Sequence, residues 1–270
     1  MAVPSKKMSS GLDIPAVGFG LWKNKDHDEC VRSVVDAASV GYRHFDTAQV
    51  YGNEAYLAEG LEKAGLKRED VFITTKIAVQ HFAWVRKSFE DSLKHLKTDY
   101  VDLLLLHFPV TLLRGHAWKV LEELHEEGKA KTIGVSNYTI DHLEELLKEC
   151  KIRPAVNQVE LHVFLQQPEL VKYCQDNGIL VEAYSPLAHG YGLDNPVLNE
   201  LAVLYNKTPA QIMLRWCVQV GTVPLPKSVN KDRIQSNFEI FDFELTAEEM
   251  EKLATINENH RTCWDPTNVK

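Results

Sequence analysis

A chain of 270 residues is longer than the usual single domain, yet barrels of alternating strands and helices commonly use about 250 residues as one unit, so residues 1–270 read as one domain. Hydrophobic residues at 44% and charged residues at 25% exclude disorder and fibre and leave enough apolar material for a full core. Thirty Lys and Arg against 38 Asp and Glu give a net charge of -8, which repels phosphate backbones and anionic lipid heads and argues against nucleic acid or membrane as a partner. Five scattered cysteines, Cys30, Cys150, Cys174, Cys217 and Cys263, never form a Cys-x-x-Cys pair and fit buried packing in a reducing cytoplasm. Met1 to Ser10 lacks the apolar core of a signal peptide, and no apolar run is as long as a membrane span.

In chain order, Lys6 to Gly20 alternates with turn signals at Ser10-Gly11 and Ile14-Pro15, predicting a hairpin that plugs one end of a barrel before a first strand at Val17–Gly20. Val31, Val34, Val35 and Ala38 recur at helical spacing until Gly41 stops the run. Further strands are predicted at Tyr42–Asp46, Val71–Lys76, Val101–His107, Thr132–Asn137, Ala155–Glu160, Ile179–Tyr184 and Thr222–Pro226, with helical runs between them. Thr208-Pro209-Ala210-Gln211 and Thr246-Ala247-Glu248-Glu249 are capping boxes that start two of those helices. Val101 to Leu106 is almost continuously apolar, as parallel strands buried on both faces are. Eight such units predict a (β/α)8 TIM barrel with an N-terminal β-hairpin. A doubly wound open sheet is the alternative, but Gly18-Phe19-Gly20-Leu21-Trp22-Lys23 lacks the third glycine of a dinucleotide fingerprint.

Barrel enzymes carry reacting groups where strands end, so the polar residue closing each strand is informative. Strand two closes with Asp46 and then Tyr51, strand three with Lys76, strand four with His107, strand five with Ser136-Asn137 and strand six with Asn157-Gln158-Val159-Glu160. A phenol is a poor proton donor unless its anion is stabilised, and the Lys76 ammonium is expected to lower the Tyr51 pKa while Asp46 keeps Lys76 charged. His107 is expected to hydrogen-bond the substrate oxygen or share the proton.

These residues lie within motifs, Gly41-Tyr42-Arg43-His44-Phe45-Asp46-Thr47-Ala48, Tyr51-Gly52-Asn53-Glu54, Thr75-Lys76, Leu106-His107, Gly134-Val135-Ser136-Asn137, Asn157-Gln158-Val159-Glu160, Tyr184-Ser185-Pro186-Leu187 and Pro226-Lys227-Ser228-Val229. With them in this order the chain resembles the aldo-keto reductases of the short-loop kind, from about Val3 to Asn268. The resemblance implies an oxidoreductase that reduces aldehydes and some ketones with NADPH, with Tyr51 as general acid and Asp46, Lys76 and His107 completing a tetrad. It further implies that Ser136, Asn137 and Gln158 bind the nicotinamide carboxamide, that Tyr184 stacks on the ring, and that Ser185 and Leu187 lie along the pyrophosphate. The run Lys227-Ser228-Val229-Asn230-Lys231-Asp232-Arg233 concentrates three cations where a helix begins, and Lys227, Ser228 and Arg233 would hold a 2′-phosphate. Asn237 matches an adenine-contacting amide, while Ser236 stands where relatives often have Glu. Trp22 matches a pocket tryptophan; Ala78 and Phe108 replace larger aromatics and widen the pocket; Trp264 either covers the mouth or packs in the core or on the surface. A monomer is expected, and no metal. A binding protein whose turnover is incidental and a metal-dependent barrel hydrolase are the other classes weighed, the latter opposed by the lack of an early His-x-His.

Overall fold

The computed structural model describes residues 3–110 and 113–269. Two short strands, β1 (Ser5–Lys7) and β2 (Asp13–Pro15), pair antiparallel. The remaining strands, β3 (Phe19–Gly20), β4 (His44–Asp46), β5 (Phe72–Ile77), β6 (Val101–Leu106), β7 (Ala130–Ser136), β8 (Val156–Glu160), β9 (Leu180–Tyr184) and β10 (Val223–Leu225), form one parallel sheet in sequence order. Gly18 N–H donates to Pro224 O and Gly20 N–H to Pro226 O, both at 3.0 Å, so β3 meets β10 and the sheet closes into a barrel. All eight predicted barrel strands are present, and the predicted hairpin precedes them.

The helices α1 (His27–Val40), α2 (Glu54–Lys63), α3 (Val85–His95), α4 (Arg114–Glu126), α5 (Ile140–Glu149), α6 (Pro168–Asp176), α7 (Pro196–Tyr205), α8 (Pro209–Gln219), α9 (Lys231–Phe238) and α10 (Ala247–Ala254) follow the strands. Both predicted capping boxes form, Thr208 accepting from Gln211 N–H and Thr246 from Glu249 N–H. Gly41 ends α1 at φ 123°, a conformation that a residue with a Cβ rarely adopts.

Strand β6 shows why its run is apolar at every position but Asp102. Leu104 and Leu106 belong to the large cluster between sheet and helices, whereas Leu103 and Leu105 point into the barrel with Phe72, Val156 and Val223. Met8 and Ile14 of the hairpin join that inner cluster, so the hairpin does plug the end at which the strands begin. Gly18 also serves the closure, because a Cβ there would lie 2.5 Å from His44 Nδ1. Every barrel strand differs from the sequence reading by one or two residues at an end, and two of these shifts have a local cause. Arg43 Nη1 donates to Ala38 O and Tyr42 O, which holds Tyr42 and Arg43 to the end of α1 and delays β4 to His44. Asn137 leaves β7 at φ 65°, in the left-handed region that Asn tolerates better than most residues.

Candidate active site

Asp46, at the end of β4, and Lys76, near the end of β5, point inward on neighbouring strands and are buried. Lys76 Nζ donates to Asp46 Oδ1 at 2.7 Å, to Oδ2 at 2.8 Å and to Thr47 O at 2.9 Å. A buried ammonium is costly unless it is paired and hydrogen-bonded, and here it is both. After β4 the chain makes a single 3-10 turn, Gln49–Tyr51, closed by Gly52 at φ 70°, which turns the Tyr51 hydroxyl back to 3.5 Å from Lys76 Nζ. The His107 ring lies edge-on to the Tyr51 ring, with centroids 5.7 Å apart. Residues from three strand ends therefore meet around one phenol.

Two expectations about their charge need correction. The Tyr51 phenol is raised well above 10, not lowered, because burial and then the Asp46 carboxylate oppose its anion. Lys76 offers little opposition, since its charge is already matched by Asp46 at much shorter range. His107 is pushed down to about 3 by burial and by Lys76, so at neutral pH it is an uncharged imidazole that can hydrogen-bond but does not hold the shared proton. Tyr51 is accordingly a stored, intact proton donor.

Beside this group, Ser136, Asn137, Gln158 and Tyr184 form one network. Ser136 Oγ donates to Gln158 O at 2.9 Å, Asn137 Nδ2 donates to His107 O at 3.1 Å, and Tyr184 OH donates to Asn137 Oδ1 at 2.8 Å. Gln158 Nε2 donates both to Asp46 Oδ2 at 2.8 Å and to Glu182 Oε2 at 2.9 Å. Its Oε1 accepts no hydrogen bond among the described residues, which leaves an acceptor at the edge of the tetrad. After β9, Ser185 turns at φ 47° with its Oγ 3.0 Å from His189 Nε2, and Leu187 packs half-buried against the core.

A second cluster lies where β10 passes into α9. Asn230 caps the helix by accepting from Arg233 N–H, Ser228 and Asn237 are buried, and Val229 is half-buried. Lys227, Lys231 and Arg233 are exposed and form no ion pair among the described residues. Three unpaired cations at a helix N-terminus suit a dianionic phosphate.

At the rim, the Trp22 ring lies 5.4 Å from His189 and 6.5 Å, edge-on, from Trp264. Trp264 stays 67% exposed, so of the two readings it combines contact with Trp22 and a surface position. Ala78 is fully buried, its N–H donating to Gln49 Oε1 at 2.9 Å, and Phe108 is half-buried.

Two groups, Glu182 and His44, escaped the sequence reading, and Glu160, which it named at the end of strand six, has a role it did not give. Glu182 and His44 lie fully buried beneath Asp46, with His44 Nε2 3.0 Å from Thr74 Oγ1 and 3.5 Å from Glu182 Oε1. A charged residue in the otherwise apolar run Ile179–Ala183, at the parity of Tyr184, was the available signal for Glu182. Glu160, ending β8, anchors the tail by accepting from Thr262 N–H and Oγ1, both at 2.6 Å, and from Cys263 N–H at 3.0 Å. Burial alone pushes the Glu160 carboxyl up, but the bonds from His162, Thr262 and Cys263 outweigh it and bring the pKa to about 2.

Comparison with known proteins places this geometry. A family model described as the aldo/keto reductase family matches residues 16–258. An uncharacterized oxidoreductase of Bacillus subtilis is 46% identical over 97% of this chain and 95% of its own length. A glyoxal reductase of the same bacterium is 44% identical over 96% and 95%. Among solved structures, an aldo-keto reductase of Bombyx mori in complex with NADP superposes with a TM-score of 0.91 at 34% identity, covering 97% of this chain and 95% of that one. With the family model spanning most of its length, the chain belongs to the aldo/keto reductase family and is an oxidoreductase.

Proposed function

We propose that this protein reduces aldehydes, and some ketones, to alcohols with NADPH, and that Tyr51 is its general acid. The observation that carries the reading is the gathering of Asp46, Lys76 and His107 around Tyr51, with Lys76 Nζ 3.5 Å from its hydroxyl, at the end of the barrel where the strands finish. Glyoxal reductase activity in the name of one relative and NADP in the structure of another support carbonyl reduction and a nicotinamide cofactor.

The residues present fit that cofactor. Gln158 Oε1 is a free acceptor for a carboxamide N–H, with Ser136 and Asn137 beside it, and Tyr184 offers a ring face. Ser185 and Leu187 follow for the pyrophosphate. Lys227, Ser228 and Arg233, with Val229 and Asn230 between them, would hold a 2′-phosphate, and Asn237 the adenine. Bound NADPH supplies a hydride to the carbonyl carbon.

The chain's own residues handle the oxygen. Negative charge developing there is met by the Tyr51 O–H and by neutral His107, and the Tyr51 proton moves to it. An alkoxide is more basic than even a raised phenolate, so that transfer runs downhill. The phenolate left behind lies beside Lys76 Nζ, whose hydrogen bonds to Asp46 and Thr47 keep it in place. Trp22 and Trp264 border the substrate, while Ala78 and Phe108 leave room on another side. The enzyme acts as a monomer in the cytoplasm.

The test mixes purified protein with NADPH, and separately NADH, and follows absorbance on adding glyoxals, aromatic aldehydes, keto sugars and quinones. Oxidation of NADPH by part of the panel, with NADH poorer, is the expected result. Tight NADPH binding without oxidation by any carbonyl would return the protein to a binding role.

A further inference from the structure

Glu182 is a carboxyl sealed inside a barrel, and the reaction just described does not use it. Its position follows from register, since Glu182 on β9 is the direct partner of Gln158 on β8. Its Oε2 accepts from Gln158 Nε2 at 2.9 Å, while its Oε1 accepts no hydrogen bond among the described residues and lies 3.5 Å from His44 Nε2. An acid in such a place costs stability, and an apolar side chain of similar size would fill the space more cheaply.

What the carboxyl does is visible in the amide it touches. Both Asp46 oxygens already accept from Lys76 Nζ, and the end of the Gln158 amide facing Oδ2 is the NH2, which donates to it. One hydrogen bond leaves the amide free to rotate, because the last torsion of a glutamine has no sharp staggered minima. The second, to Glu182, uses the other N–H and fixes the plane of the amide. With both N–H groups spent inward, Oε1 is the only polar atom left to face a ligand.

We propose that Glu182 is a positioning residue for the nicotinamide end of the cofactor. By taking the second N–H of Gln158, it presents Gln158 Oε1 as the acceptor for the carboxamide NH2. The inference rests on the NADPH reading above and adds a residue that never touches cofactor or substrate.

The test measures binding, by quenching of protein fluorescence, of three ligands to wild type, Glu182→Met and Glu182→Gln. The ligands are NADP+, its 3-acetylpyridine analogue, in which a methyl replaces the carboxamide NH2, and 2′-phospho-ADP-ribose, which lacks the nicotinamide. Wild type should prefer NADP+ over the acetylpyridine analogue by about tenfold, which corresponds to about 1.4 kcal/mol and the worth of one such hydrogen bond. Glu182→Met should lose most of that preference while binding 2′-phospho-ADP-ribose as wild type does. Glu182→Gln, whose own amide oxygen can still accept from Gln158, should recover it.

Equal losses for all three ligands in Glu182→Met, or an unchanged preference, would overturn the proposal. So would a wild type that does not distinguish NADP+ from the acetylpyridine analogue, a result that needs no variant to fold. If wild type binds 2′-phospho-ADP-ribose but gains nothing from a nicotinamide, the positioning role is wrong and the 2′-phosphate site stands. If it binds none of the three, the NADPH reading itself has failed.

Discussion

The two ends of this barrel are built from the same strands and differ in almost everything else. Where the strands begin, the interior is filled by Phe72, Leu103, Val156 and Val223 and closed by Met8 and Ile14 of the hairpin. Where they finish, the interior holds Asp46, Lys76, Gln158 and Glu182, each buried and each hydrogen-bonded to another of the set. The apolar end gains stability from packing; the polar end gives some back to hold charges in one geometry. Substitutions at the two ends should therefore move different measurements.

The sharpest break is at the polar end. Tyr51→Phe removes only the hydroxyl, and turnover of any active aldehyde should fall by about a thousandfold, within the range for loss of a general acid. Thermal stability and NADP+ affinity should stay close to wild type. Turnover within a few fold of wild type would show that the proton comes from elsewhere.

At the apolar end, Ile14→Ala should do the reverse. It opens a cavity under the barrel and should cost about 2–5 kcal/mol of stability by denaturant melts, while kcat of the folded enzyme stays unchanged. A fall in kcat at constant folded fraction would mean that the plug also shapes the site.

The smallest effect sharpens the comparison through pH. The Glu182 carboxyl is pushed up to about 8, first by burial and then by the Asp46 charge. The native state therefore keeps a proton that the unfolded chain has released, and wild-type stability should decline as pH rises from about 4.5 to about 8, by at most about 1.4 kcal/mol per unit. Glu182→Gln lacks this decline. His44 faces the same carboxyl, but burial and Lys76 hold it down near 3. Its contribution runs the other way and is complete by about pH 6.5, as is that of His107. Melts between pH 6.5 and 8 should show wild type losing stability relative to Glu182→Gln, and parallel curves would mean that Glu182 is ionised throughout.

How much of this was legible in the sequence follows the same division. The strands were readable because period and punctuation are local, and β6 advertised its two buried faces by four consecutive leucines, Leu103 to Leu106. The residues of the site were readable because each closes a strand, and a parallel barrel brings such positions to one rim. The charge states were not readable. Lys76 beside Tyr51 suggests a lowered phenol, but the sign is set first by burial and then by the Asp46 carboxylate, which lies nearer the ammonium at 2.7 Å against 3.5 Å, and spacing along the chain carries neither. Glu182 was hidden for a related reason: its meaning lies in its register partner on β8, 24 residues away.

The hairpin has one more consequence, for proton traffic. Because β1 and β2 close the barrel beneath His44, Glu182 and Asp46, the hairpin shuts this buried chain of acids and bases off from water at that end. On the proposed mechanism, a proton lost from Tyr51 in a turnover is replaced through the same mouth that admits the substrate. The interior cannot resupply it from below, so the return of that proton waits until the mouth is clear.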